Sequence, residues 1–177
     1  VIFAGFGGQG VLTAGLILAY AANDKGVNVS WMPSYGPEKR GGTANSTVKF
    51  GDYAGERVDV PLMRSADAAI VMNQPSLSFL RFCKDGATIL INSNSIAEDT
   101  EISEKFNAVR LNSDHLAYES GNSKGTSIVM LGALTKLCGF YDKDYMIEEM
   151  LKMFEEKGKS KFSDKNRTAF MAGYNAV

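Results

Sequence analysis

Apolar residues fall in short runs over the first two thirds of the chain and in helical stripes over the last third. VIFAG (1–5) is β-branched and aromatic and stops at Gly5, the pattern of a buried strand. VLTAGLILAYAANDK, from Val11 to Lys25, predicts a helix that is apolar on nearly all sides and therefore covered on more than one face. Gly26 is placed to end it as the residue after the C-cap, with Lys25 at the negative end of the helix dipole. VNVSWM (27–32) alternates and predicts a second strand. Strand, glycine loop, helix and strand together open a doubly wound sheet. PSYGPEKRGG (33–42) is a loop by its prolines and glycines, and TANSTVKFG (43–51) is a weakly alternating strand. DAAIVMN (67–73) and ATILIN (87–92) predict central strands, with a short helix from Pro75 to Arg81 between them; AVRLN (108–112) predicts one more strand.

The last third changes character. KGTSIVMLGALTKLCG (124–139) predicts an apolar helix stopped by Gly139. DKDYMIEEMLKMFEEKG (142–158) predicts an amphipathic one with the stripe Met146, Ile147, Met150, Leu151 and Phe154. SDKNRTAFMAGYNAV predicts a closing helix with Ser163 as N-cap. No internal repeat is visible. The pattern predicts one α/β domain over residues 1–177: a Rossmann-like open, mostly parallel sheet with helices on both faces and a helical C-terminal portion.

Composition narrows the function. With 45% apolar and 22% charged residues, a sizeable core is expected. A net charge of -1 argues against nucleic acid as a partner. No run of about 18 apolar residues predicts a membrane span. The chain begins on an apolar strand with no Met, basic n-region or cleavage site, which points to a few trimmed residues, no signal peptide and a cytoplasmic location. The two cysteines, Cys83 and Cys138, form no CxxC pair, so neither a zinc site, a disulfide scaffold nor an iron–sulfur cluster is expected in this chain.

Two motifs carry candidate chemistry. In FAGFGGQG (3–10), Gly5, Gly7 and Gly10 fit G-x-G-x-x-G between a strand and a helix. By that pattern Gly5 allows the turn, Gly7 admits a pyrophosphate and Gly10 lets helix and strand pack closely. Helix N-terminal amides bind anions, and the Gln9 amide, between Gly8 and Gly10, can donate and accept at the helix start. A nicotinamide or flavin site also needs an acid at the end of the second strand, where the sequence has Ser30, Trp31, Met32, Pro33 and Ser34. The loop is therefore read as a turn that packs helix against strand and takes an anion or a partner group at the helix start rather than a nicotinamide pyrophosphate.

The second motif is SYGPEKRGGTANS (34–46), at the carboxyl edge of the sheet beside the glycine loop, where open α/β sheets bind ligands. Ser34, Tyr35, Gly36, Glu38, Arg40, Gly41 and Gly42 are its candidate ligand or interface residues. Arg40 can grip a carboxylate or phosphate with two hydrogen bonds; the competing reading is a solvated surface loop. His115, the single histidine, sits between Asp114 and Glu119 and reads as structural or exposed. Ser34 and Ser46 have no local histidine and no G-x-S-x-G elbow, which argues against a hydrolase. No catalytic residue and no metal ligand is assigned.

GFGGQGV (5–11) together with SYGPEKRGGTANS (34–46) resembles the gamma subunit of 2-oxoacid:ferredoxin oxidoreductases of the pyruvate, 2-oxoisovalerate and 2-oxoglutarate types. SIVMLGAL (127–134) and NRTAFMAGY (166–174) are similar to that family's later helices, with Asn166, Ala169, Phe170 and Gly173 in place. Lys39 departs from the pattern, standing where the family often has Met. The matching subunit of indolepyruvate:ferredoxin oxidoreductase is a close variant of the same reading.

The resemblance implies a part in thiamine-diphosphate-dependent oxidative decarboxylation of a 2-oxoacid to acyl-CoA, with electrons passing to ferredoxin. The thiamine motif begins GDG and ends in Asn; Gly51, Asp52 and Tyr53 come nearest, and Tyr breaks it. Thiamine diphosphate with its divalent cation and the iron–sulfur clusters are therefore expected on partners: thiamine-binding alpha and beta subunits and a ferredoxin-like delta subunit. Coenzyme A is a candidate at the interface. The chain is expected to be inactive alone and, with an apolar first helix and a Met-rich late one, to self-associate when isolated. The alternatives are a self-sufficient NAD or FAD oxidoreductase and a non-catalytic anion-binding or scaffold module.

Overall fold

The computed structural model describes residues 1–36, 42–51 and 65–177. Six strands, β1 (Ile2–Phe6), β2 (Asn28–Tyr35), β3 (Thr43–Gly51), β4 (Ala66–Val71), β5 (Cys83–Asn92) and β6 (Asn107–Leu111), form one sheet in the order β2-β3-β1-β4-β5-β6. β1, β4, β5 and β6 are parallel; β3 runs antiparallel to both neighbours, β1 and β2. The helices are α1 (Val11–Asp24), α2 (Ser113–Glu119), α3 (Thr126–Cys138), α4 (Lys143–Glu156) and α5 (Ser163–Asn175).

The opening unit differs from a simple doubly wound start. β2 does not lie beside β1. It forms a hairpin with β3, paired from Asn28↔Gly51 to Tyr35↔Ala44, and β3 enters between them. Burial explains the choice. β3 turns Ala44, Ser46 and Val48 fully inward, whereas β2 has no buried residue and carries Pro33, which an edge strand tolerates.

Both faces of the sheet are covered, unevenly. On one face Phe3, Ile70 and Leu90 meet α1, α3, α4 and α5. On the other, Ile2, Val71, Ile89 and Ile91 are covered by the 3-10 segment Gln74–Phe82 and by Ile96, Ile102 and Phe106. The α3–α5 crossing is close enough for backbone contact. A Cβ at Gly132 would collide with the carbonyl oxygen of Phe170, and one at Gly173 with that of Val129.

The Met-rich stripe is core. Met146, Ile147, Met150 and Met153 are buried, and Tyr145 donates from its hydroxyl to the Ala21 carbonyl at 2.7 Å, tying α4 to α1. The two helices expected to expose apolar surface therefore cover each other. Among the described residues the large exposed hydrophobics are Tyr35, Tyr118 and Phe162. Ser163 is the first residue of α5 rather than its cap: the 3-10 turn Ser160–Phe162 runs straight into the helix and leaves Phe162 at the cap position. α2 has no counterpart in the sequence reading. Its signal is Asn112, whose side chain accepts from the His115 amide. Among the described residues, no helix is long and apolar enough to cross a membrane.

Candidate functional site

The ends of β1 and β2 and the start of β3 meet at one edge of the sheet, and backbone hydrogen bonds join the two glycine motifs there. The Gly7 amide donates to the Gly42 carbonyl at 2.9 Å, and the Gly36 amide donates to the Thr43 carbonyl at 2.6 Å. Ser34 and Tyr35 are exposed at this rim, Tyr35 to 70%. Glu38, Arg40 and Gly41, with Pro37 and Lys39, lie outside the described residues.

The glycines divide their roles differently from the fingerprint. Gly5 is the packing glycine: a Cβ there would sit 2.8 Å from Oε1 of Gln9 and 2.9 Å from Val11. The turn is made by Gly8 and Gly10, at φ 96° and 78°. Gly10 is doubly constrained, because a Cβ would also strike the Ser127 hydroxyl on α3. Gly7 has space around it, but its amide is taken by Gly42. The loop amide a pyrophosphate would need is thus used to hold the neighbouring loop.

Gln9 serves the loop first. Its Oε1 accepts from the Phe6 amide at 2.7 Å and from Nδ2 of Asn73 at 2.9 Å. Asn73 is buried at the carboxyl end of β4, and its own oxygen accepts from the Ser76 amide, so its nitrogen is the end that faces Gln9. The expectation that Gln9 contacts a partner therefore narrows to Nε2, which has no hydrogen-bond partner among the described residues. A cavity of about 410 Å³ lies there, lined by Gly8, Gln9, Asp114, Lys124 and Thr126 among others. Asp114 is held by Nδ2 of Asn92 at 2.8 Å and the Thr126 hydroxyl at 3.1 Å. Asn73, Asn92 and Asp114 were missed in the sequence. Asn at the end of two successive apolar strand runs, 67–73 and 87–92, was the available signal.

The remaining candidates disperse. His115 is exposed and 3.2 Å from Glu119, one helical turn on. Ser46 is fully buried and donates to the Val11 carbonyl at 3.0 Å, a link between β3 and α1. Cys83 and Cys138 pack on opposite faces of the sheet. Burial pushes both thiols up. Topology also counts against a dinucleotide site. The strand beside β1 on this side is β3, which is antiparallel and sends its carboxyl end to the opposite edge.

Residues 1–176 match the family described as pyruvate ferredoxin/flavodoxin oxidoreductase. The chain belongs to this family. Within it, the chain is 38% identical over 176 residues to the ketoisovalerate oxidoreductase subunit VorA of Methanothermobacter thermautotrophicus, covering 98% of this chain and 35% of that one. It is 33% identical over 182 residues to the 2-oxoglutarate synthase subunit KorC of Methanothermobacter marburgensis, covering 98% and 94%. The chain thus spans about a third of the length of VorA and nearly all of KorC. In structure it is similar to the gamma subunit of a keto/oxoacid ferredoxin oxidoreductase from Geobacter sulfurreducens, with a TM-score of 0.81 at 28% identity over 98% and 95% of the two chains.

Proposed function

We propose that the chain acts as the gamma-type component of a multi-subunit 2-oxoacid:ferredoxin oxidoreductase, in the cytoplasm. Its joined glycine edge docks on thiamine-binding alpha and beta subunits and walls the coenzyme A channel. A ferredoxin-like delta subunit completes the assembly. The observation that carries the reading is the Gly7–Gly42 hydrogen bond. It makes one surface of the two motifs that the related family shares.

The chain's own groups fit a phosphate-bearing ligand better than a redox centre. Arg40 supplies a two-point grip, Lys39 a point charge, and the first amides of α1 are free of any side-chain cap. Two thiols on opposite faces of the sheet do not fit an iron–sulfur cluster, and thiamine diphosphate, which supplies the electron sink for decarboxylation, belongs to the partners. The part left to this chain is to bind, orient and exclude water at the channel wall.

Arg40→Ala in the reconstituted complex is expected to raise KM for coenzyme A by about tenfold with kcat little changed. An unchanged KM with the complex intact removes the channel role and leaves a subunit interface. Failure of thiamine-binding partners to confer 2-oxoacid oxidation would favour the scaffold alternative.

A further inference from the structure

The two outer strands of the sheet are not alike. β6 is five residues long and carries Arg110. β2 is eight residues long, carries no charge, and keeps register with β3 from Asn28↔Gly51 to Tyr35↔Ala44 without a bulge. Short length, charge, proline and bulges are the devices by which edge strands avoid further pairing. β2 has Pro33 alone of these.

The direction of its backbone groups follows from the hairpin end. The Gly36 amide donates to the Thr43 carbonyl, so these two residues form a hydrogen-bonded pair. Counting back in twos, Ser34, Met32, Ser30 and Asn28 turn their amides and carbonyls to β3. Val29, Trp31, Pro33 and Tyr35 turn theirs outward, and among the described residues no strand lies beyond them. Pro33 lacks an N–H on the outer side, so it costs the hairpin no bond. The outward amides of Val29 and Trp31 lie on its N-terminal side.

The occupant of this edge must be an extended strand, because only a strand supplies acceptors and donors at the same spacing. The side chains choose which strand. A two-fold axis at Ser30 sets Val29 against Trp31 of a second copy, and Trp31 against its Val29. That register closes every bond that Val29 and Trp31 offer and asks nothing of Pro33. It makes aromatic–β-branched pairs on the face toward α1, where Val29 and Trp31 already lie against the core. On the other face Ser30 meets Ser30, small hydroxyls that donate and accept, and Asn28 meets Met32. Registers shifted toward the C-terminus bring Pro33 opposite Val29 or Trp31 and lose bonds.

We propose that β2 is a self-association edge, pairing antiparallel with β2 of a second copy about a two-fold axis at Ser30 and joining two sheets into one. The contact uses Asn28 to Met32 and none of the residues 34–42 at the carboxyl edge.

The test is sedimentation velocity on the full-length chain, alone and in its assembled complex, over a concentration series. A reversible dimer of the chain and two copies per complex are expected. Ser30→Lys sets like charges face to face at the axis and is expected to weaken the dimer by about tenfold, as is Ser30→Glu. Melting curves report the folding of each variant. An equimolar mixture of the two exchanges repulsion for attraction and is expected to restore the dimer. Hydrogen exchange tests the unmodified chain: the Val29 and Trp31 amides should slow as the dimer forms while the Tyr35 amide does not. A chain monomeric at every concentration, dimers that neither variant weakens, a mixture that stays apart, or Val29 and Trp31 amides that exchange equally in both states overturns the pairing. A single copy per complex, held less tightly by the other subunits after Ser30→Lys, gives the edge to a partner strand and overturns it too.

Discussion

Glycine is required in two places, for opposite ends. At the α3–α5 crossing, Gly132 and Gly173 remove side chains so that two helices touch through their main chains. In the loop after β1, Gly8 and Gly10 supply a backbone conformation that most residues resist, and the space this creates is left open to the carboxyl edge. The first pair is consumed by packing. The second holds a surface in place. A change at the crossing should act on stability as a whole, and a change in the loop should act on stability and on the site together.

The largest effect is expected at the crossing. Gly173→Ala drives a methyl into the Val129 carbonyl, and backbone cannot rotate away as a side chain would. A loss of about 3 kcal/mol is expected, read as a fall in Tm of roughly 6–12 °C for a chain of this size. A melting curve like the parent's would mean that the helices part at little cost.

Gly10→Ala comes next. The left-handed backbone costs about 1–2 kcal/mol, and the clash with the Ser127 hydroxyl adds to it. Ser127→Ala in the same chain should recover the clash and leave the backbone cost, a double-mutant cycle readable by urea unfolding. Simple additivity would show that the loop and α3 do not touch as described.

Gln9 sharpens the comparison, because its effect depends on an acceptor and not on space. Gln9→Leu leaves the Phe6 amide and the Asn73 nitrogen without an acceptor, an expected loss of about 1–2 kcal/mol. Gln9→Glu keeps the acceptor for both donors and should stay close to the parent. Equal losses for the two variants would break the argument.

The smallest effect lies at the far end of α1, outside both glycine sites. A hydrogen bond from Lys152 holds the Asp24 carboxyl below its usual range. Its contribution is present above the unfolded pKa near 4 and is lost as pH falls through the depressed folded value. Asp24→Asn should flatten the acid limb of a stability–pH profile below about pH 5 and do little at neutral pH. Superimposable acid limbs would show that the α1–α4 latch carries no net charge preference.

The strands and the long helices were legible because their apolar patterns depend on local periodicity. Gly26 was legible for the same reason, as a residue whose own backbone ends a helix. The place of β3 was not, because it depends on which strand offers Ala44 and Val48 to α1, a property of the assembled layers. Gln9 was visible as unusual, yet its partner Asn73 is distant in sequence. Ser163 reads as a cap by composition, but the 3-10 turn before it had already fixed the chain direction. The cavity of about 470 Å³ lined by Thr13, Ser127, Phe154 and Lys165 gathers residues from four helices and could not be seen in any one stretch.

The inserted position of β3 also bears on how the chain is made. Of the six strands, β1 is synthesised before the other five, yet Ile2 pairs with Thr47 on one side and Ala69 on the other. Its own successor, β2, never hydrogen-bonds to it. A nascent chain therefore carries an apolar, unpaired first strand until both bracketing strands have been synthesised. Pairing across such separations is entropically late and kinetically slow. That interval is when this sequence is open to capture by a chaperone, or by the matching strand of another copy.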